Sequence, residues 1–248
     1  MINNYKVTLQ YDGTRYSGWQ RQGNTVNTIE SKLSSVLSIM TDSQEPVEIF
    51  GSGRTDAGVH ALGQVANFKL NTDMDQESVM EYMNRYLPED IRVLDIAIVP
   101  IKFHSRLNAT EKVYRYSIDN NPKADVFMRR YAWWIDKKLD LDKMRELVEV
   151  FVGKKDFITF SDVKNNKKST ERHISMIDVV EENGIVTLEF TGDGFLYHMV
   201  RKITAAFVRV GLGEDTIEDI RQALYEKDRH SFGYIAPAKG LMLKQVKY

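Results

Sequence analysis

No cysteine occurs in the 248 residues. Its absence excludes disulfides, thiolate nucleophiles and cysteine-bound metal, and it fits a reducing compartment. Long apolar runs are missing too. No stretch approaches membrane-spanning length, and the opening MINNYKVTLQYDG lacks the apolar core of a secretion signal. A soluble cytoplasmic protein with no membrane partner is expected. Histidine is scarce: His60, His104, His173, His198 and His230 never fall at H-x-x-x-H or H-E-x-x-H spacing, so no metal centre is expected. Net charge is nearly absent as well, with 34 Lys+Arg against 35 Asp+Glu, so the whole chain carries no bias toward nucleic acid.

What is present is ordinary globular composition, 42% hydrophobic and 28% charged, in a length that suits one large domain or two small ones. The charges are unevenly placed. Residues 71–100 hold seven acids (Asp73, Asp75, Glu77, Glu81, Glu89, Asp90 and Asp95) against Arg85 and Arg92. Residues 101–131 reverse the balance, with Lys102, Arg106, Lys112, Arg115, Lys123, Arg129 and Arg130 against three acids. Residues 195–213 carry Arg201, Lys202 and Arg209 and no acid. Such segregation builds either a local basic face or a scatter of solvated cations, and the pattern alone does not choose.

Apolar periodicity predicts an order of elements that occurs twice. In the first half, strands are expected at 5–11, 46–51, 64–70 and 92–99, with helices after a capping signal at Asn27-Thr28-Ile29-Glu30 and over 76–86. In the second half, strands are expected at 112–119, 173–180, 185–191 and in the closing GLMLKQVKY. Helices there are marked by Leu141, Met144, Leu147, Val148 and Phe151, by a start near Phe195 that takes in His198, and by 216–225. Two split β-α-β units of ferredoxin-like, RRM-like type follow. The fold class is α+β, with domains 1–108 and 109–248 whose antiparallel sheets abut around a central cleft.

The chemistry is concentrated in GSGRTDAGVH, residues 51–60. Gly53 and Gly58 have the spacing of a phosphate-binding P-loop, but Val59-His60 stands where Lys-Ser/Thr is required. A dinucleotide fingerprint fails because Asp56 occupies the third glycine position, and an anionic side chain there would repel phosphate. G-x-S-x-G, the nucleophile elbow of serine hydrolases, is absent. No nucleotide, metal or redox cofactor is therefore expected. A loop presenting Arg54 and Asp56 remains. It reads either as an Asx-type turn with a surface ion pair, which spacing alone slightly favours, or as an ionised carboxylate pre-positioned as a nucleophile.

The stretch GSGRTDAGVHALGQVANF (Gly51 to Phe68) resembles the catalytic signature of the TruA-type tRNA pseudouridine synthases, R-T-D-x-G-V-H-A. YDGTRYSGWQRQ (Tyr11 to Gln22), FHSRLNATEKVYRYSI (Phe103 to Ile118), GDGFLYHMVRKI (Gly192 to Ile203) and APAKGLML (Ala236 to Leu243) resemble the family's other four motifs, in family order. The resemblance implies a cofactor-independent isomerase that converts uridines 38, 39 and 40 of the tRNA anticodon stem-loop. It also implies a homodimer with tRNA as partner. A non-catalytic RNA-binding module with paired RRM-like sheets is the rival reading, but it would not need an intact R-T-D loop, and the RNP aromatic consensus is not recognisable.

By the same resemblance Asp56 is the nucleophile, and Arg54 fills or prises the space left by an extruded base. Tyr114 stacks on the base, and Arg201 pairs with the catalytic carboxylate. Leu241 and Leu243 line an apolar wall. Gln20 and Arg21 contact RNA, and Arg106, Lys112, Arg115, Lys154, Lys155, Lys167 and Lys168 are candidates for phosphate contacts.

Overall fold

The fold is described from a computed structural model for residues 2–163 and 169–248. Lys167 and Lys168 lie outside the described residues. The chain is α+β with both parallel and antiparallel strand pairing, and it divides into two compact units, Met1–Thr110 with Met242–Tyr248, and Glu111–Leu241. The closing strand belongs with the first unit because Met242 and Leu243 pair with His60 and Ala61. The division at 108/109 would have left that strand in the second half.

In the first unit, β1 (Ile2–Tyr11), α1 (Ile29–Met40), β2 (Ile49–Gly51), β3 (His60–Asn71), α2 (Gln76–Tyr86) and β4 (Ile91–Val99) follow in chain order. Strand β1 lies between β3 and β4, antiparallel to both. Strand β2 pairs with β3 at residues 66–68, and β10 (Leu241–Lys247) pairs in parallel with its other end. Each helix starts where a short polar side chain satisfies an otherwise unpaired backbone donor. The Thr28 hydroxyl accepts from the Ser31 amide, and Asp75 accepts from Ser78. Glu30 takes no part in a capping box; it sits one residue too early and accepts the Arg21 amide instead (2.9 Å). Helix α1 buries Ile29, Leu33 and Leu37, and on β1 and β3 Tyr5 and Phe68 sit opposite each other with rings stacked at 5.8 Å. Full burial of a side chain such as Leu33 contributes roughly 1.5–3 kcal/mol.

The second unit contains β5 (Glu111–Asp119), β6 (Trp133–Trp134), α3 (Leu141–Phe151), β7 (Gly153–Asp156), β8 (Glu171–Glu182), β9 (Ile185–Gly192), α4 (Met199–Gly211) and α5 (Ile217–Glu226). Strands β5, β9, β8 and β7 are antiparallel neighbours in that order, and β6 adds a short parallel pairing to β5. Phe151, Phe160, Phe190 and Phe207 interlock at centroid distances of 5.0–6.2 Å and form the centre of this core. Helix α4 is buried almost all round, enclosed by the core. It begins at Met199, four residues after the expected start near Phe195. The cause is His198, whose backbone is left-handed (φ 63°) and cannot continue a helix backwards.

Candidate active site

In the first unit, the R-T-D segment is a turn held in place by the opening motif. Val59 donates to the Asp56 carbonyl (3.1 Å), and Gly58 has φ 78°, the left-handed third position that a type II turn requires. Arg54 is exposed, Thr55 is buried, and Asp56 is half-buried. The Tyr11 hydroxyl bonds the Thr55 hydroxyl (2.8 Å), the Trp19 amide donates to the Thr55 carbonyl (3.0 Å), and the Gly58 amide donates to the Tyr16 carbonyl (3.3 Å). Gln64, wholly buried, accepts from Ser52 (2.6 Å) and donates to the Gly53 carbonyl (2.9 Å).

Gly18 and Gly51, one from each motif, are explained by the close approach of the two segments. A methyl group on Gly18 would meet the Thr55 carbonyl oxygen at 2.7 Å, and one on Gly51 would meet the Trp19 ring at 2.5 Å. Gly13 donates to Nδ1 of buried His60 (3.0 Å), and Asp12 Oδ1 lies 3.1 Å from that nitrogen. The opening segment is fixed in turn by Asp90, which accepts from the Tyr16 hydroxyl (2.5 Å) and from Arg15 (2.7 Å). Burial pushes the Tyr11 hydroxyl up to about 12, so it stays neutral and keeps its hydrogen bond to Thr55 through the working pH range.

In the second unit, Tyr114 on β5 is 8% exposed and meets Phe195 edge to face at 5.2 Å. Arg201, on the first turn of α4, is joined to Ala236 twice: its Nε donates to the Ala236 carbonyl (2.8 Å), and the Ala236 amide donates back to the Arg201 carbonyl (3.1 Å). Beside it the Tyr116 hydroxyl donates to the Pro237 carbonyl (2.8 Å). Burial raises the Tyr116 pKa against the opposing pull of the Arg201 cation. Gly240 lies under the Tyr116 ring, where a side chain would come within 2.6 Å of ring carbons. Three motifs distant in sequence are thereby joined: YRY of β5, the arginine of α4 and the APAKG segment.

Of the residues singled out in sequence, Arg54 and Asp56 lie in the first unit and Tyr114 and Arg201 in the second. Gln20 follows the clamped Trp19 and is exposed, as are Arg21 and Arg106. Lys112 is half-buried, and Leu241 and Leu243 are buried. Among the proposed phosphate contacts, Arg115 is paired with Glu189 across β5 and β9 (2.7 Å), and exposed Lys154 lies 3.4 Å from Glu171. The scaffold residues Tyr11, Tyr16, Trp19 and Gln64 were not singled out in sequence. Their only signal there is membership of the conspicuous motifs, since an isolated aromatic or glutamine on a strand reads as core.

A family model described as tRNA pseudouridine synthase matches residues 8–108 and 147–248. The chain belongs to that family. It is 48% identical over 247 residues to tRNA pseudouridine synthase A of Bacillus sp. (strain KSM-64), 44% identical to tRNA pseudouridine synthase A 2 of Bacillus anthracis, and 42% identical to tRNA pseudouridine synthase A 1 of Clostridium tetani (strain Massachusetts / E88). In each case all of this chain and all of the relative are covered. Among solved structures, the archaeal box H/ACA sRNP Nop10-Cbf5 complex is matched at 10% identity with a TM-score of 0.37, over 94% of this chain and 58% of that one. A likeness of that size carries no argument.

Proposed function

We infer that the protein isomerises uridine to pseudouridine in tRNA, at positions 38, 39 and 40 of the anticodon stem-loop, with Asp56 as the nucleophile. The observation that carries this is the clamped turn. A half-buried carboxylate stands on a turn held at three points, by Tyr11 at the Thr55 hydroxyl, by Trp19 at the Thr55 carbonyl and by Tyr16 at the Gly58 amide, which is the pre-organisation a nucleophile needs and a surface turn does not.

The reaction breaks the bond between N1 of the base and C1′ of the sugar, turns the base, and forms a bond from C5 to C1′. The hydrogen on C5 leaves as a proton and N1 takes one up, so base and sugar are conserved and no oxidant or co-substrate is consumed. A carboxylate at Asp56 supports the cleavage by bonding to the sugar or base as the glycosidic electrons depart. Extruding the uridine from a stem costs stacking, which Arg54 offsets by occupying the space left behind. Tyr114, with its ring set by Phe195, stacks on the extruded base. Arg201 balances the Asp56 charge. Gln20, Arg21, Arg106 and Lys112 contact the RNA backbone, while Leu241 and Leu243 supply apolar wall.

The strand order supports a ferredoxin-like reading of both halves. In the first unit β4-β1-β3-β2 is the order of a split β-α-β fold, and β5-β9-β8 follows the same pattern in the second. The N-terminal half carries the R-T-D loop and the C-terminal half carries the tyrosine and the arginine. The enzyme works as a homodimer in the cytoplasm.

The test is release of tritium from tRNA labelled at C5 of uridine. Wild-type protein should release label from positions 38–40, and Asp56→Asn, still folded and still binding tRNA, should release none. Turnover by Asp56→Asn near the wild-type rate would remove Asp56 from the chemistry.

A further inference from the structure

The three cations of α4, Arg201, Lys202 and Arg209, read in sequence as a candidate basic face. In the structure all three are committed to protein partners. Lys202 is 5% exposed, and its Nζ lies 2.8 Å from Asp162 Oδ1 and 3.3 Å from the Phe232 carbonyl. Arg209 is forked onto Asp215 (2.5 and 2.8 Å), bonds Glu214 (2.9 Å), and lies over the Tyr234 ring at 3.7 Å. Arg201 is latched to Ala236 in both directions. The helix thus grips Phe232, Tyr234 and Ala236, alternate residues of one segment. That segment belongs to no helix or strand, so its conformation is set by what grips it.

We propose that Arg209, with Tyr234, positions Arg201 by holding the strap Phe232–Ala236 in register on α4. This rests on the role given to Arg201 above. Arg209 ties Tyr234 to Glu214 and Asp215, which follow α4, while Arg201 holds Ala236, so the two arginines grip the same strap two residues apart. The planar head is what the arrangement uses: a fork for Asp215 on its edge and a flat face for Tyr234. Phe232 anchors the far end of the strap against Phe160 (4.8 Å). Without the grip on Tyr234, the strap slides and the Ala236 carbonyl no longer fixes the Arg201 side chain. Displacement of a positioning group by about 1 Å costs as much as 100-fold in rate.

The experiment compares Arg209→Ala, Arg209→Lys, Tyr234→Ala, Tyr234→Phe and the double variant Arg209→Ala/Tyr234→Ala, in single-turnover pseudouridine formation, tRNA affinity and hydrogen exchange at the Ala236 amide. Arg209→Ala and Tyr234→Ala should each slow the chemical step roughly 10- to 100-fold, with tRNA affinity within about twofold of wild type. The double variant should be no slower than either single one. Tyr234→Phe keeps the ring and should recover the rate; Arg209→Lys keeps the charge but loses the fork and should not. The Ala236 amide should exchange faster in both alanine variants. An unchanged rate, affinity lost in step with rate, or equal damage from Tyr234→Phe and Tyr234→Ala would overturn the proposal. Arg201→Ala separates the two ideas. If it is fully active while Arg209→Ala loosens the Ala236 amide, the role of Arg201 fails and the clamp stands. If the Ala236 amide stays protected in Arg209→Ala, the clamp itself is refuted. Since Tyr234 is half-exposed, its two variants carry the test should Arg209→Ala fail to fold.

Discussion

Gly13 and Val59 make a contact that admits no side chain, for a methyl group on residue 13 would lie 1.9 Å from the Val59 carbonyl oxygen. Val59 closes the turn that carries Asp56, and the next residue, His60, accepts the Gly13 amide. The opening motif is therefore the backing of the candidate nucleophile.

Gly13→Ala should consequently disturb both stability and chemistry. The backbone must move to relieve the overlap, at a cost of about 3 kcal/mol, and the movement is transmitted to Asp56. Gly23→Ala is the control, because nothing lies within 4 Å of a methyl group there. Denaturant unfolding and single-turnover rates measure the two effects. A Gly13→Ala protein as stable and active as Gly23→Ala would show that the close approach has no consequence.

Arg201→Ala and charge reversal of Lys154 with Lys155 should fail in opposite ways. Arg201 is engaged by Ala236 and in the proposed role serves one carboxylate, so its loss should lower the rate and leave the salt dependence of tRNA affinity unchanged. The lysine pair stands on β7, where Lys154 makes a long contact with exposed Glu171, worth little in water. Reversing both should weaken binding and flatten the slope of log affinity against log salt by about 1–2. Affinities measured over a range of salt decide it. A flattened slope in Arg201→Ala would make Arg201 a phosphate contact.

Acid should loosen the start of α4 through Asp162. Burial works against ionisation of this carboxylate, but hydrogen bonds from Lys202 and His198 outweigh it and hold its pKa below the usual aspartate value. A group with a depressed folded pKa stabilises the fold above its unfolded value, and the contribution is lost as pH falls through the folded one. The loss therefore belongs below the ordinary aspartate range, near pH 4 and lower. In thermal unfolding, Asp162→Asn should be less stable than wild type at pH 7, and the two should converge toward pH 3. An unchanged gap across that range would remove Asp162 from the acid response.

Much of this was legible in sequence because it is local. Helices α1, α2, α3 and α5 announce themselves through apolar residues at helical spacing, and α1 also through the capping signal that contains Thr28. The start of α4 was misplaced because a single left-handed backbone angle at His198 leaves no mark on composition. Strands β6 and β7, two and four residues long, are too short for alternation to show. In the candidate site, the R-T-D loop stood out by its glycines, but the reasons for Gly51 and for Gly13 of the opening motif did not: the residues that require them, Trp19 for Gly51 and Val59 for Gly13, are 32 and 46 positions away. The cation row of α4 was visible as charge and misread as surface, because the acids and carbonyls that receive it come from Asp162, Asp215 and the 232–236 segment.

The strand that completes the first unit is made after the whole of the second. Residues 242–248 pair with β3, take the Thr110 amide at Lys247, and set Tyr248 against Phe103 and Ser105. All of Glu111–Leu241 must leave the ribosome before that strand exists. During synthesis the first unit emerges with part of the β3 edge open, and its closure waits on a contact between residues nearly two hundred positions apart. Pairings of such long separation form slowly. The order of translation and the order of folding are thus set at odds in this chain, and the candidate catalytic turn beside His60 acquires its full support only after the second unit has been made.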